Sequence, residues 1–317
     1  MNNATTHAFR ARAGGSPAAK SILALAVIGV CWCAAPAAAT PILGSDLASF
    51  TVLGASAVTN VPTSTIVGNV GVWPTNAITG FNHSPGVAVS DTQVTGTVQE
   101  GTTTAQLAQA QLTTAITNLG SLGPGTTEPA DLAGLTLPPG IYTVPAGTTN
   151  LSAGTLTLNG NGNANAAWVF LMPSTLITSS NTVVQVINTG SGAGVYWDVG
   201  SSATIGTNTT FLGNILATAA ITMNTGATDL CGRALASTAA VTLQQNSLSG
   251  TCSGLPAGSG GQSAGLSGGL EVNGSGQVSV LPYASATVPE PATLSLLFLG
   301  LAGIGFVRTR RQKTGAA

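Results

Sequence analysis

Residues 201–217 read SSATIGTNTTFLGNILA, residues 218–236 read TAAITMNTGATDLCGRALA, and residues 237–250 read STAAVTLQQNSLSG. The three stretches align at a period of about 17–20 residues. A unit of that length cannot bury its apolar face alone and is stable only when stacked on its neighbours. Each copy holds a triplet with threonine at its centre: Ala203-Thr204-Ile205, Ile221-Thr222-Met223 and Val241-Thr242-Leu243. Side chains of a strand alternate between its two faces. The flanking apolar residues therefore point into a shared core, and Thr204, Thr222 and Thr242 point out of it.

The pattern spreads outward from these repeats. Thr155 and Thr157 alternate with Leu156 and Leu158, and Val184 and Val186 flank Gln185. Further short apolar runs at 50–53, 55–59, 65–67, 167–171, 183–187, 195–198 and 211–217 are joined by Gly and Asn, as expected of strands with tight corners. One segment differs. Thr103 to Leu119 (TTAQLAQAQLTTAITNL) lacks Gly and Pro and repeats Leu107, Ala108, Leu112, Ala115, Ile116 and Leu119 near the helical period, so an amphipathic helix is expected there, stopping near Gly120.

Charge excludes several functions. Charged residues make up 5% of the 317 residues, against about 25% in an ordinary domain. Between the two ends lie eight acidic residues, Asp46, Asp91, Glu100, Glu128, Asp131, Asp198, Asp229 and Glu271, against the single cation Arg233, a net charge of about −7. Such a body has no electrostatic footprint for phosphate, so no nucleic-acid partner is expected. Catalysis is not expected either. His83 is the only histidine of the body and sits in a Pro-Gly loop. No His/Cys cluster has metal-ligand spacing, and nothing in the sequence brings Asp198 and Asp229 together as an acid–base pair. No cofactor and no metal are expected.

Both ends read as addresses. Residues 1–39 carry Arg10, Arg12 and Lys20, then the apolar run SILALAVIGV and Ala37-Ala38-Ala39, the order of a secretory signal cleaved before Thr40. Residues 254–287 are rich in Gly and Ser and read as a linker. Residues 288–313 place Pro289, Glu290 and Pro291 before an apolar stretch and a basic tail, Arg308 to Lys313. That stretch is shorter than the roughly 20 residues of a stable span, and the basic tail would stay cytoplasmic. This order resembles the PEP-CTERM sorting signal of Gram-negative bacteria. The resemblance implies export, a transient inner-membrane tether through a short transmembrane helix, recognition by an exosortase, and display at the surface or release, commonly alongside exopolysaccharide. Cys231 and Cys252 are an even pair in an oxidising compartment and are expected to form a disulfide, two free thiols being the alternative.

Several further motifs point to one family. Gly68-Asn69-Val70-Gly71-Val72-Trp73-Pro74 is similar to a G-D/N-x-G-x-x-P turn, Ala77 to Phe81 to an ITGF segment, and Leu132 to Tyr142 to an L-x-G-x-T-L-x-P-G-x-Y run. Asn159 to Leu171, Gly200 to Ala217 and Gly232 to Ala236 continue the match in order. Together they resemble the DUF3494 ice-binding-protein-like family over residues 40–253. The resemblance implies a mostly β chain, a discontinuous right-handed β-solenoid of triangular section, with one long α-helix packed alongside and coils that do not stack strictly in sequence order. It also implies adsorption to ice through a flat face of Thr, Ser and Ala. Thr225-Gly226-Ala227-Thr228 fits the T-A/G-x-T/N pattern of some members. The candidate face is thus Thr155, Thr157, Ser202, Thr204, Thr222, Thr225, Thr228 and Thr242. The alternative is a structural or adhesive matrix protein that binds exopolysaccharide, with Trp73, Trp168 or Trp197 as stacking platforms.

Overall fold

The computed structural model describes residues 40–252 and 265–285, so the expected signal and the sorting segment lie outside the described residues. The described chain is mostly β with few helices. Short strands pair in parallel into a 6-stranded sheet and, apart from the antiparallel pair Ala88–Asp91 with Val94–Glu100, into a 15-stranded sheet, and a small 3-stranded antiparallel sheet joins the two ends of the described chain.

The three repeats stack as their spacing requires. Strands Ala203–Ile205, Ile221–Met223 and Val241–Leu243 are consecutive neighbours in the six-stranded sheet. Stacking then leaves sequence order. The next neighbour is Val58–Asn60, followed by Ile78–Thr79. The same jump occurs in the large sheet, where Ser247–Ser249 pairs with Thr65–Val67 and Thr228–Ala236 with Phe50–Gly54. An N-terminal pair of rungs thus closes the open end left by the last repeat, and backbone groups that would face solvent there are paired.

Side chains facing inward form one continuous core. Leu176, Ala203, Ile221, Val241, Val58 and Ile78 line it from the six-stranded sheet. Stacked rings fill it from the other: Tyr142 on Phe170 at 5.6 Å, Phe170 on Trp197 at 4.1 Å, and Trp197 against Phe211 at 5.0 Å. Trp168 and Trp197 are buried and donate their indole N–H to the carbonyls of Leu137 and Leu212. Where the chain turns from one sheet to the other, Asn181, Asn208, Gly226 and Gln245 all take positive φ. Asn tolerates this conformation and Gly favours it. At Gly226 a Cβ would also run into the Oδ1 of Asn208 in the rung beside it. Buried side chains replace the strand bonds lost at these corners: Asn246 donates to the carbonyls of Asn224 and Ala227 and accepts from the Gln244 N–H.

The long helix spans Thr103–Gly120, with the Thr102 hydroxyl accepting from the Ala105 N–H as its cap. Ala105, Ala108, Leu112, Ala115 and Leu119 face the sheet and pack with Phe50, Leu53, Val169, Tyr196, Leu216 and Leu235. This covers the outer side of one half of the large sheet. Leu107, expected on the apolar stripe, is exposed instead. Cys231 and Cys252 are bonded, 21 residues apart in sequence.

The linker reading does not hold for residues 265–285. Strands Leu270–Val272 and Val278–Val280 pair with each other, and the first of them pairs with Thr40–Pro41. Leu266 and Leu270 are buried. These few apolar residues, set among many glycines, suffice to dock the segment on the body, which composition alone does not reveal.

Candidate binding face

The six-stranded sheet presents one uninterrupted outward row. Thr204 pairs with Thr222, Thr222 with Thr242, Thr242 with Thr59 and Thr59 with Thr79. Ile177 continues the row beyond Thr204. These side chains are half-buried or exposed, whereas the residues on either side of Thr204, Thr222 and Thr242 are buried. Successive strands lie about 4.8 Å apart, so six of them give a row about 24 Å long. Two residues earlier in each strand, on the same side, stand Ser202, Ala220, Ala240, Ala57 and Ala77. The parallel bonding continues through this second row, with the amides of Ala203, Ile221, Val241 and Val58 donating to the carbonyls of Ala220, Ala240, Ala57 and Ala77 at 2.9–3.0 Å. The face is therefore a stiff platform of hydroxyls and methyls flanked by small side chains.

Three properties set this face apart. No charged residue occurs in residues 55–61, 75–81, 174–181, 201–208, 218–226 or 237–246, which build it. The β-branched threonines have little rotamer freedom to lose on contact. Their hydroxyls are also unclaimed, since no side-chain hydrogen bond among the described residues involves Thr59, Thr79, Thr204, Thr222 or Thr242, and they can bond to water.

The other residues singled out from the sequence lie elsewhere. Thr155, Thr157 and Thr228 belong to the large sheet. There Thr155, Val183, Thr210, Thr228, Ser247 and Thr65 form a second outward row. Val183 interrupts its hydroxyls, and the strand pair beneath it shifts register between Phe211 and Gly213. Thr157 stands opposite Thr136 and Gln185 and accepts from the Gln185 amide at 2.8 Å. Thr225 occupies the corner between the sheets and donates to Gln244. The structure thus unites Ser202, Thr204, Thr222 and Thr242 and separates them from the remaining four. Thr59 and Thr79 were missed. Their triplet, apolar residue then threonine, is the same signal, but it lies far from the repeats in sequence.

The groups considered for chemistry do not converge. Asp229 points inward in register with Phe211 and Leu248, and desolvation pushes its carboxyl well above the ordinary range. Asp198 faces the opposite side of the sheet, in a row with Leu171 and Leu216, and burial raises it to about 6. His83 pairs with the Glu100 carboxylate at 2.9 Å and holds the loop that follows the Ile78–Thr79 strand. Trp73 is half-buried beside the helix cluster.

Comparison with known proteins agrees with this architecture. The ice-binding-like family profile matches residues 52–249, and the PEP-CTERM protein-sorting motif matches residues 287–311, which implies export and surface sorting with exosortase processing. An ice-binding protein of Nostoc sp. (strain HG1) is 40% identical over 296 residues, covering 93% of this chain and 96% of that protein. The crystal structure of an ice-binding protein from the Antarctic ascomycete Antarctomyces psychrotrophicus is similar with a TM-score of 0.57 and 31% identity, covering 66% of this chain and 97% of that one. That of an Arctic yeast ice-binding protein gives a TM-score of 0.58 and 28% identity, covering 69% and 96%. This chain belongs to the ice-binding-like family, whose kind is non-enzymatic.

Proposed function

We propose that the chain is an exported protein that adsorbs to ice through the threonine row of its six-stranded sheet. The observation that carries this reading is the unbroken register of Thr204, Thr222, Thr242, Thr59 and Thr79. Ice offers no charge and no pocket, only a lattice of water oxygens. A level array of stiff hydroxyls and methyls can hold a matching layer of water, and many weak contacts then sum with little loss of side-chain freedom. Ions on the face would disturb that layer, and the face has none. The fold is read as a discontinuous right-handed β-solenoid of triangular section. Its first side is the six-stranded sheet, and the large sheet supplies the other two, one of them covered by the helix. Thr155, Thr157, Thr225 and Thr228 fall outside the proposed face, and Ser202 flanks it.

The same reading places residues 40–285 outside the cell after removal of residues 1–39, with a short inner-membrane tether in a Gram-negative host before exosortase processing near Pro289, Glu290 and Pro291. A matrix role that binds exopolysaccharide is less supported, because burial removes Trp168 and Trp197 as stacking platforms. Purified mature chain added to a slowly growing ice crystal is expected to facet the crystal and to slow recrystallisation. Round, unshaped crystals at high protein concentration would favour the matrix role.

A further inference from the structure

Arg233 is the only cation between the terminal segments, yet it is 4% exposed. A buried guanidinium is costly unless its donors are all engaged. Here it donates to Asn214 Oδ1 at 2.8 Å, Ser267 Oγ at 2.6 Å, and the carbonyls of Ala48, Gly250 and Gly265 at 2.9–3.3 Å. Two of these partners, Gly265 and Ser267, come from the glycine-rich stretch after the matched family domain. The body meets the same stretch with other buried polar groups. Asn214 donates its amide to the carbonyls of Gly265 and Leu266, and the Tyr196 hydroxyl donates to the carbonyl of Gly268 at 2.9 Å. Leu266 sits in the apolar core below them. Without residues 265–268, Arg233 and Asn214 would lose partners, and Tyr196 would lose the acceptor of its hydroxyl.

We infer that Arg233, Asn214 and Tyr196 form a dedicated recognition slot for the chain's own C-terminal strap, residues 265–285, and that the slot fixes where the sorting tether leaves the molecule. The second half of this inference rests on the surface-display reading above. From the slot the strap runs beside the helix-covered half of the large sheet. It ends with Ser285 bridged to Asn163, while the Ala164 amide donates to Ala284 and Tyr283 to Gly162. Residues 159–166 lie where the Thr155–Asn163 strand passes into the Ala167–Met172 strand, which on the three-sided reading proposed above is the corner between the two sides of the large sheet, with the six-stranded sheet as the remaining side. The departure point is therefore opposite the threonine row. A chain held by its C-terminal end would turn its helix-side corner toward the holder and leave the threonine row facing outward.

The test uses the full chain with a specific protease sequence inserted among residues 253–264, so that cleavage frees the strap from all but non-covalent contacts. The strap is expected to co-elute with the body after cleavage. The variants Ser267→Ala and Tyr196→Phe, each removing one slot contact, are expected to release it at least about 5-fold faster. Immediate loss of the strap from the parent would overturn the inference, and so would retention unaffected by both variants, which would assign docking to the antiparallel strand pairing alone. For the tether, chain held on beads through its C-terminal end is probed with a bulky thiol reagent at Thr222→Cys and at Tyr283→Cys. Fast reaction at residue 222 with protection at 283 is expected, and the reverse order would overturn the orientation. Neither readout involves ice, so failure of ice adsorption would leave both results standing.

Discussion

Thr59 lies directly beside Thr242 in the six-stranded sheet, although one belongs to the first rungs of the domain and the other to its last repeat. That contact makes the row five threonines long instead of three, and it is possible only because the N-terminal rungs stack after the C-terminal ones. Thr59→Tyr is therefore expected to damage ice adsorption as much as a change inside the repeats would, since one bulky ring lifts the whole face off a flat lattice. Thr157→Tyr, on the large sheet, should leave adsorption within about 2-fold of the parent. Ice-affinity partition of the two purified variants checks this, with far-ultraviolet circular dichroism confirming that each is folded. Retained adsorption by Thr59→Tyr combined with loss by Thr157→Tyr would move the site to the other sheet.

The platform is only as level as the core beneath it. Ile221, directly inward of the row, is completely buried between Ala203 and Val241. Ile221→Ala removes three methyl-sized groups from a packed interior and is expected to cost about 2–5 kcal/mol. Chemical denaturation should show the lower midpoint without a change of slope.

Cys231 and Cys252 close a loop of 21 residues. Loop closure of that length stabilises by about 3 kcal/mol in the chain-entropy account. Cys231→Ser with Cys252→Ser, or a reducing agent at neutral pH, is expected to lower the melting temperature by several degrees, and an unchanged melt would contradict the estimate.

Asp198 gives a pH dependence of defined sign. Burial raises its carboxyl to about 6, whereas an unfolded Asp titrates at about 3.9. The folded chain therefore binds this proton more tightly than the unfolded chain does. Its contribution is fully present below about pH 4, declines as pH rises through the window from about 4 to about 6, and is flat above that. Asp198→Asn should flatten the stability profile in that window. Asp229, also raised by burial, acts with the same sign, so a residual slope is expected until Asp229→Asn is added. A profile that climbs between pH 4 and 6 in the parent would contradict the assignment.

The repeats made the local part of this fold legible. Ala203-Thr204-Ile205, Ile221-Thr222-Met223 and Val241-Thr242-Leu243 show both faces of their strands in the residues themselves, and the helix at 103–120 shows its stripe. Alternation tells which side a residue is on, however, and not which sheet its strand joins. Thr155 and Thr228 obey the same rule as Thr222 and still belong to another sheet, because the chain turns just before them, at Gly154 and Gly226, both with positive φ. Thr59 and Thr79 were unreadable for the complementary reason: their neighbours are set by a crossover in stacking order, which no local pattern encodes. The strap was hidden by composition, since the glycines of residues 265–269 look like a linker until Arg233 and Asn214 are seen to need their carbonyls.

The most direct test of the central claim follows fluorescently labelled mature chain onto a single ice crystal, comparing the parent with Thr222→Tyr, whose site lies between Thr204 and Thr242 in the row. The parent is expected to coat defined planes of the growing crystal, and Thr222→Tyr to be excluded into the liquid while melting at the parent's temperature. Equal incorporation of the two proteins into the ice would contradict the assignment of the threonine row.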